Sequence, residues 1–213
     1  MTPAAYTENL TRPIDAYDRI IGLDVEEVAL DASQHKAPAG GEGTGPNFTD
    51  RAKLGWKWSI VTEGAGIPIG WTVASAHRSD AKLVADTLDA VAARGLLHEV
   101  GCVHFDRGYD YDFVRIDCFE RGVTSHIPRR QPRGRTNNNL NRYSRRQHKR
   151  PPRRFVARNH RWQVERTNSW LTNFGQLRRN TDRHPDHRSA ALELAIALIV
   201  TVKLVKWSTR WNA

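Results

Sequence analysis

The sequence has no acidic residue between Glu120 and Glu165, and this absence is its most informative feature. Residues 121–164 carry fourteen Lys or Arg side chains, which leaves 19 basic residues against 23 acidic ones in the rest of the chain. The formal net charge of +10 therefore combines a segment at +14 with a body at −4. Charge concentrated in this way predicts a polyanionic partner, whereas a merely solvated basic surface would carry its charge more evenly.

Cysteines and long apolar runs are also scarce. Two cysteines, Cys102 and Cys118, exclude a disulfide framework and a CxxC metal knuckle, and their apolar surroundings predict buried, unreactive thiols. The first ten residues lack the basic start and apolar stretch of a secretory signal. The longest apolar run, over residues 190–205, is interrupted by two charges and is shorter than the roughly 20 residues of a membrane span. We therefore expect a cytoplasmic protein without a membrane partner.

Apolar patterning predicts alternating strands and helices. The predicted helices cover residues 12–22, 80–94, 109–121, 158–177 and 187–207, and the predicted strands cover residues 25–32, 53–63, 67–76, 100–105 and 123–127. The second and third strands are joined by a glycine-rich turn and form an antiparallel hairpin. Residues 33–50 and 128–154 are predicted loops, the latter loop or disordered. This order predicts an α/β fold with a mixed sheet.

Two aspartates, Asp31 and Asp106, stand at the ends of predicted apolar strands. Adjacent strands that end in this way can bring two carboxylates close together, which is unfavourable unless a cation lies between them. Oxygen ligands of this kind favour Mg²⁺. The alternative is that either aspartate alone caps a helix or forms a turn, which is the commoner role of an Asp at a strand end.

Glu165 is the first carboxylate after the basic run and falls on a predicted helix. At about 100° per residue, Arg158, Arg161 and Glu165 share one face of that helix, while its aromatic residues lie on the other side. Three carboxylates in one place would support two-metal phosphodiester chemistry, in which one ion activates the nucleophile and the other stabilises the leaving oxygen. The simpler alternative is a surface ion pair between Arg161 and Glu165.

Three sequence blocks resemble the catalytic domain of DDE transposases from bacterial insertion sequences, most closely the insertion-sequence-five group. They are ALDAS at 29–33, FDRGYD at 105–110 and RWQVERTNSWL at 161–171. The resemblance implies an RNase H-like mixed sheet flanked by helices, and a transposase that cleaves transposon ends and joins them to target DNA. It implies that Asp31, Asp106 and Glu165 are catalytic and bind two Mg²⁺ ions, for which Mn²⁺ can substitute.

The resemblance also implies DNA partners, namely inverted-repeat ends and a target, and a homo-oligomer on DNA. Relatives carry an N-terminal helical DNA-binding region, which we expect to be separately encoded or fused by frameshifting. We expect an N-terminal extension over 1–24, the catalytic domain over 25–207 with a basic loop at 128–157, and a tail over 208–213. Phosphate contacts are predicted for Arg129, Arg130, Arg133, Arg135, Arg145, Arg146, Lys149, Arg150, Arg158, Arg161 and Arg166.

Two other functions remain open from the residues alone. The first is a truncated, non-catalytic DNA-binding protein that modulates transposition, which would bind DNA without turnover at any Mg²⁺ or Mn²⁺ concentration. The second is a host RNase H-like nuclease, which would cleave without any requirement for inverted-repeat ends.

Overall fold

The computed structural model describes residues 3–130 and 161–211. The helices are α1 (Pro3–Ile20), α2 (Val84–Ala92), α3 (Asp112–Glu120), α4 (Arg161–Thr172), α5 (Gly175–Arg178) and α6 (Pro185–Trp211). The strands are β1 (Glu27–Lys36), β2 (Gly45–Asn47), β3 (Lys53–Thr62), β4 (Pro68–Ser75), β5 (Cys102–His104) and β6 (Thr124–His126). Short 3₁₀ turns lie at Phe48–Asp50, Asp80–Leu83, Leu97–Glu99 and Arg107–Tyr109.

The strands form one mixed sheet in the order β2-β3-β1-β5-β6, with β4 also paired to β3. The pairs β1–β3 and β3–β4 are antiparallel, which confirms the predicted hairpin, while β5 is parallel to β1 and β6 is parallel to β5. Helical segments provide the crossovers that parallel pairing requires. The predicted RNase H-like mixed sheet flanked by helices is therefore confirmed.

A hydrophobic layer covers each face of the sheet. Alternation along β1 places Leu30 in the layer with α2 and α3, and its neighbour Ala29 in the layer with α4 and α6. Trp56 and Trp58 of β3 are fully buried in the second layer. Burial of one large apolar side chain contributes about 1.5–3 kcal/mol, so these two layers fix which face of the sheet each strand residue occupies.

The predicted N-terminal extension is helical and shares this core. The expected helix over 12–22 is longer than predicted, because α1 starts at Pro3 and accommodates Pro13. Ile14 and Tyr17 of α1 are buried in the same cluster as Leu192 and Ile196 of α6. The predicted helix over 187–207 is also longer and begins at Pro185. None of the helices in the described part of the chain is long and apolar enough to cross a membrane.

Strand β1 extends beyond its predicted end at residue 32. Antiparallel pairing with β3 continues to Lys36, which lies opposite Gly55, so residues 33–36 are strand and not loop. Asp31 consequently lies inside β1, opposite Ile60 of β3, and not at the end of the strand. The predicted end of the strand was wrong because residues 33–36 are polar, which is typical of a loop, while their strand structure depends on pairing with β3.

Other boundaries differ where local geometry interrupts a predicted helix. The predicted helix over 158–177 is divided into α4 and α5, because Phe174 adopts an extended conformation. The predicted helix over 80–94 begins as a 3₁₀ turn, and Asp80 does not cap it. Cys118 is buried as predicted, whereas Cys102 is only half-buried. The predicted basic loop lies outside the described residues from position 131 onward.

Candidate functional site

The register between β1 and β5 aligns Asp31 with Asp106. The parallel pairs Val28–Val103 and Ala29–His104 share one offset, which also relates Asp31 to Asp106 two residues further along. At this point Asp106 leaves the sheet and caps the following 3₁₀ turn, where its side chain accepts a hydrogen bond from the backbone N–H of Gly108. Asp106 therefore caps the turn at Arg107–Tyr109 and also lies beside Asp31, so the two roles considered for it are compatible.

Two carboxylates lie beside each other where the pairing of β1 with β5 ends. The pKa of Asp31 is raised to about 6, mainly by burial and to a smaller extent by the charges of Asp106 and Asp80. A hydrogen bond from the Ala32 backbone and the charge of Arg161 act in the opposite direction, but they are not sufficient to reverse the effect. A partly buried carboxylate with a raised pKa is a group whose charge a bound cation would stabilise.

Tyr109 and Asp80 complete the surroundings of the two aspartates. Tyr109 is buried against Phe105, and its pKa is raised well above the usual value by burial and then by the charges of Asp31, Asp80 and Asp106. Asp80 accepts a hydrogen bond at 2.6 Å from the ammonium of Lys57, whose side chain is buried. Asp80 therefore already has a cationic partner, whereas no such salt bridge is found for Asp31 or Asp106 among the described residues.

Helix α4 presents one face to Asp31. Arg161 and Asn168 both act on this aspartate, the first through its charge and the second through a hydrogen bond of 3.3 Å from its amide to Oδ2. Glu165 lies between them on the same helix face, because residues three and four apart are neighbours on a helix. The predicted face is therefore observed in part, and Arg158, its first member, lies outside the described residues.

Glu165 is half-exposed and paired with Arg161. Its Oε1 accepts a hydrogen bond from the guanidinium of Arg161 at 2.9 Å. Among the described residues, Asp31, Asp106 and Glu165 do not form a group whose oxygens all lie within 4.8 Å of one another. The structure thus brings the two aspartates and the α4 face together, while the side chain of Glu165 is engaged by its own helix.

Asn168 is a site residue that the sequence did not indicate. It is nearly fully buried, and its Oδ1 accepts a hydrogen bond of 2.8 Å from the indole N–H of Trp58. Trp58 in turn stacks on His35, with ring centroids 3.7 Å apart. This contact directs the amide N–H₂ of Asn168 toward Asp31. The sequence offered one indication of this role: Asn168 follows Glu165 by three residues, which places both side chains on the same face of the helix.

Two of the predicted phosphate-binding arginines act on Asp110, in the loop that follows Asp106. Arg129 and Arg130 are exposed. The guanidinium of Arg130 donates hydrogen bonds to the carbonyls of Arg107 at 3.0 Å and Gly108 at 2.6 Å, and it lies 4.6 Å above the ring of Tyr111. Arg130 is therefore held against the loop that follows Asp106.

Arg166 does not face the aspartates. Its guanidinium lies between Trp162 and Trp170, at 4.3 and 4.7 Å from the ring centroids, and donates a hydrogen bond to the carbonyl of Ala65. Burial lowers its pKa. The geometry thus does not fit its predicted phosphate contact, because the charge is used in packing α4 on the β3–β4 turn. The remaining predicted contacts, Arg133, Arg135, Arg145, Arg146, Lys149, Arg150 and Arg158, lie outside the described residues.

A groove lies along the part of β1 that follows Asp31. Its volume is about 610 Å³, and it is bordered by the β1 residues that follow Asp31, by the end of α4 and by the basic pair after α5. The lining residues are Ser33, Gln34, His35, Lys36, Asn47, Asp50, Thr172, Arg178 and Arg179. Three basic side chains line this groove, and one of them, Lys36, is paired with Asp50 at 3.6 Å. The groove begins two residues after Asp31 on β1, so a surface that attracts polyanions lies near one potential metal ligand.

The chain matches known proteins over most of its length. The model of the family described as "Transposase DDE domain" matches residues 24–200. This chain belongs to the transposase DDE domain family. The DDE domain is also 34% identical over 161 residues to a protein inferred to be the transposase of insertion sequence element IS402 from Burkholderia cepacia. That match covers 73% of this chain and 67% of that protein.

Solved structures with weaker likeness to this DDE domain include a viral intasome and a mariner transposase. The intasome of simian T-cell lymphotropic virus, in complex with a PP2A regulatory subunit, has 11% identity and a TM-score of 0.39, and the match covers 82% of this chain and 48% of that chain. The catalytic domain of Mos1 mariner transposase has 10% identity and a TM-score of 0.34, with coverage of 91% and 88%. Membership of the insertion-sequence-five group stays a prediction.

Proposed function

We propose that this DDE domain is the catalytic domain of an insertion-sequence transposase, which cleaves DNA at transposon ends and transfers the strand to target DNA. The observation that carries the proposal is the alignment of Asp31 with Asp106 across β1 and β5, beside the face of α4 that bears Glu165. Family membership supports the reaction class, and the paired carboxylates support the residues that we assign to it.

The residues suit a magnesium site. Asp31 and Asp106 offer only hard oxygen ligands. The raised pKa of Asp31 reflects its burial and, to a smaller extent, the charge of Asp106, and a divalent cation would offset both. We propose that these two aspartates and Glu165 hold two Mg²⁺ ions, with Mn²⁺ as a substitute. When bound, such ions supply a nucleophile at neutral pH and stabilise the leaving oxygen.

In this proposal Glu165 exchanges its partner. Its present hydrogen bond with Arg161 is an exposed pair between residues four apart, which contributes only about 0.3–0.5 kcal/mol. Rotation of Glu165 toward Asp31 would therefore cost little and would release the guanidinium of Arg161. A freed arginine beside the carboxylates can then bind a phosphate of the substrate in bidentate fashion. Asn168 keeps Asp31 oriented during this exchange.

The basic segment supplies the affinity for DNA in this proposal. Residues 121–164 carry fourteen Lys or Arg side chains, and they connect β6, which lies next to the strand of Asp106, with the helix of Glu165. We propose that these charges hold the phosphate backbone of inverted-repeat ends and target DNA with little base readout. We also propose a homo-oligomer on paired ends, and a DNA-binding region outside this chain as a further partner.

The test is a cleavage and strand-transfer assay with the purified chain. The substrate is a duplex that carries the inverted repeats flanking its own gene, in buffer with Mg²⁺. Asp106→Asn should lower the rate by more than about 100-fold, which exceeds the usual effect of residues that only support metal ligands. Asp112→Asn, at the exposed start of α3, is the matched control and should keep the wild-type rate.

The competing functions give different results in the same assay. Wild-type protein that binds the duplex but never cleaves it, with Mg²⁺ or Mn²⁺, would support a DNA-binding protein without catalysis. Cleavage that is equally fast on a duplex without inverted repeats would support a general nuclease. Equal rates for wild type and Asp106→Asn would remove Asp106 from the proposed site.

A further inference from the structure

A second group of potential ligands lies on the same pair of strands as the two aspartates. Glu27 of β1 and Cys102 and His104 of β5 each place one ligand atom within 4.8 Å of the other two. In the described part of the chain, this is the only group of three or more His, Cys, Asp or Glu residues with this property. Its donors are a carboxylate oxygen, a thiol sulfur and an imidazole nitrogen.

The strand register explains why these side chains converge. Glu27 lies directly opposite Cys102, and His104 lies opposite Ala29 in the parallel β1–β5 ladder. Side chains of paired residues project from the same face of a sheet, and residues two apart on one strand do so as well. Strands rise about 3.3 Å per residue, so Glu27 lies about 13 Å before Asp31 along β1. His104 is the member nearest to the aspartate site, two residues or about 7 Å before Asp106, so the group adjoins that site and extends away from it along the two strands.

The contacts within the group bring the three donors face to face. Nε2 of His104 is in hydrogen-bond contact with Oε2 of Glu27. The sulfur of Cys102 lies within 4.8 Å of the ligand atoms of both Glu27 and His104. The side chain of His104 is 14% exposed and that of Glu27 is 43% exposed, so an ion from solvent can reach them.

We propose that Glu27, Cys102 and His104 form a binding site for Zn²⁺. Sulfur, nitrogen and a single carboxylate are the donor types that Zn²⁺ accepts, whereas Mg²⁺ prefers oxygen ligands only. Zinc takes four ligands in most sites, so a water molecule or a further side chain completes the set. His126 of β6 is adjacent, with its ring centroid 5.0 Å from that of His104.

Zinc at this position would link β1 to β5 through their side chains. The same two strands carry Asp31 and Asp106, so the ion would fix the register that aligns the two aspartates. Its role is then structural, with the oxygen site and the zinc site at different points of one strand pair. Binding is also expected to release a proton, because the thiol must ionise when it ligates the metal.

The experiment measures binding of Zn²⁺ to the purified full-length chain by equilibrium dialysis. Excess Mg²⁺ is present to occupy oxygen-only sites. Cobalt(II) is the second probe, because a thiolate ligand gives it a charge-transfer absorption band. The wild type should bind one Zn²⁺ whose affinity falls by more than about 100-fold in Cys102→Ser, a loss larger than that for groups outside the ligand set. The cobalt charge-transfer band should disappear in the same variant.

Matched variants separate this site from other causes. Cys118→Ser removes the other thiol, which is buried in the α2–α3 layer, and should leave zinc binding unchanged. Glu27→Gln and His104→Gln should each weaken binding, and circular dichroism verifies that all variants are folded. Asp31→Asn should still bind Zn²⁺. A folded wild type that binds no Zn²⁺, or a folded Cys102→Ser variant that binds it as tightly, would overturn the proposal and leave Glu27–His104 as an ordinary hydrogen-bonded pair.

Discussion

Asn168 of α4 donates a side-chain hydrogen bond to Oδ2 of Asp31, in the middle of β1, over 3.3 Å. The same amide accepts the indole N–H of Trp58, so its orientation is fixed by a buried partner. A neutral residue thereby connects the helix that carries Glu165 with the strand that carries Asp31.

Replacing Asn168 with leucine should destabilise the protein. Asn168→Leu leaves the indole N–H of Trp58 buried without an acceptor, which costs about 1–3 kcal/mol. The free energy of unfolding from urea titration measures this change. Asn173→Leu, at an exposed position next to the end of α4, is the control and should stay within about 0.5 kcal/mol of the wild type. Equal losses at both positions would argue against a specific role of Asn168.

Asp31 should make stability depend on pH. Its pKa of about 6 in the folded protein lies above the value of about 3.9 in an unfolded chain. Below about pH 4, Asp31 is protonated in both the folded and the unfolded chain, and the free energy of unfolding keeps its full value. The free energy of unfolding then falls as the pH rises through about 6, because the buried carboxyl ionises. Asp31→Asn removes this loss and should be more stable than wild type at pH 8 by at most about 3 kcal/mol, less where Asp106 titrates with it.

Urea titrations of Asp31→Asn and wild type in EDTA, at pH 4 and pH 8, test this expectation. The difference should vanish at pH 4 and should shrink at pH 8 when Mg²⁺ replaces EDTA, because a bound cation favours the ionised carboxylate. Asp15→Asn, on the exposed face of α1, is the control. A difference that is the same at both pH values would mean that the charge of Asp31 is not the cause.

Arg166 should affect stability more than DNA binding. Its guanidinium lies over Trp162 and Trp170, and loss of such contacts costs about 0.5–2 kcal/mol. Arg166→Gln should therefore lower the free energy of unfolding, while the slope of log affinity against log salt stays unchanged. Arg161→Gln is the matched comparison. It should leave the free energy of unfolding nearly unchanged, because its pair with Glu165 is exposed, and it should reduce the slope of log affinity against log salt. A reduced slope for Arg166→Gln would restore its predicted phosphate contact.

The basic segment should determine the salt dependence of DNA binding. Each phosphate contact contributes about 0.9 to the slope of log affinity against log salt, so four neutralised contacts should flatten it by about 3–4. The variant replaces Arg133, Arg135, Arg145 and Arg146 with glutamine. The control replaces Arg12, Arg19, Lys206 and Arg210, which are exposed on α1 and α6. Slopes that change equally in both variants would indicate binding through net charge alone.

Much of the fold was predictable because it depends on local patterns. The hairpin of β3 and β4, the parallel strands β5 and β6, and the order of helices follow from apolar periodicity and glycine turns. The end of β1 was not predictable, because residues 33–36 are polar and their pairing with β3 is a long-range contact. Likewise, the division of α4 from α5 depends on the extended conformation of Phe174, which helical periodicity does not reveal.

The residues of the candidate site could be proposed from the sequence only where they carry a charge. Asp31, Asp106 and Glu165 are visible as carboxylates near strands and a basic run. In contrast, the role of Asn168 depends on its contact with Trp58, more than a hundred residues earlier. The charge of Arg166 suggested a phosphate contact, but its guanidinium packs between two tryptophans. The convergence of Glu27 with Cys102 and His104 requires the β1–β5 register, which no local pattern encodes.

The most direct test of the central claim is a change of metal preference in Asp106→Cys. Rates of cleavage at the transposon end are measured for wild type and variant, each with Mg²⁺ and with Mn²⁺. If Asp106 binds the metal, the variant should lose activity with Mg²⁺ and regain part of it with Mn²⁺, because Mn²⁺ tolerates sulfur better than the harder Mg²⁺ does. A variant that cleaves with Mg²⁺ as fast as the wild type would contradict the assignment of Asp106 as a metal ligand.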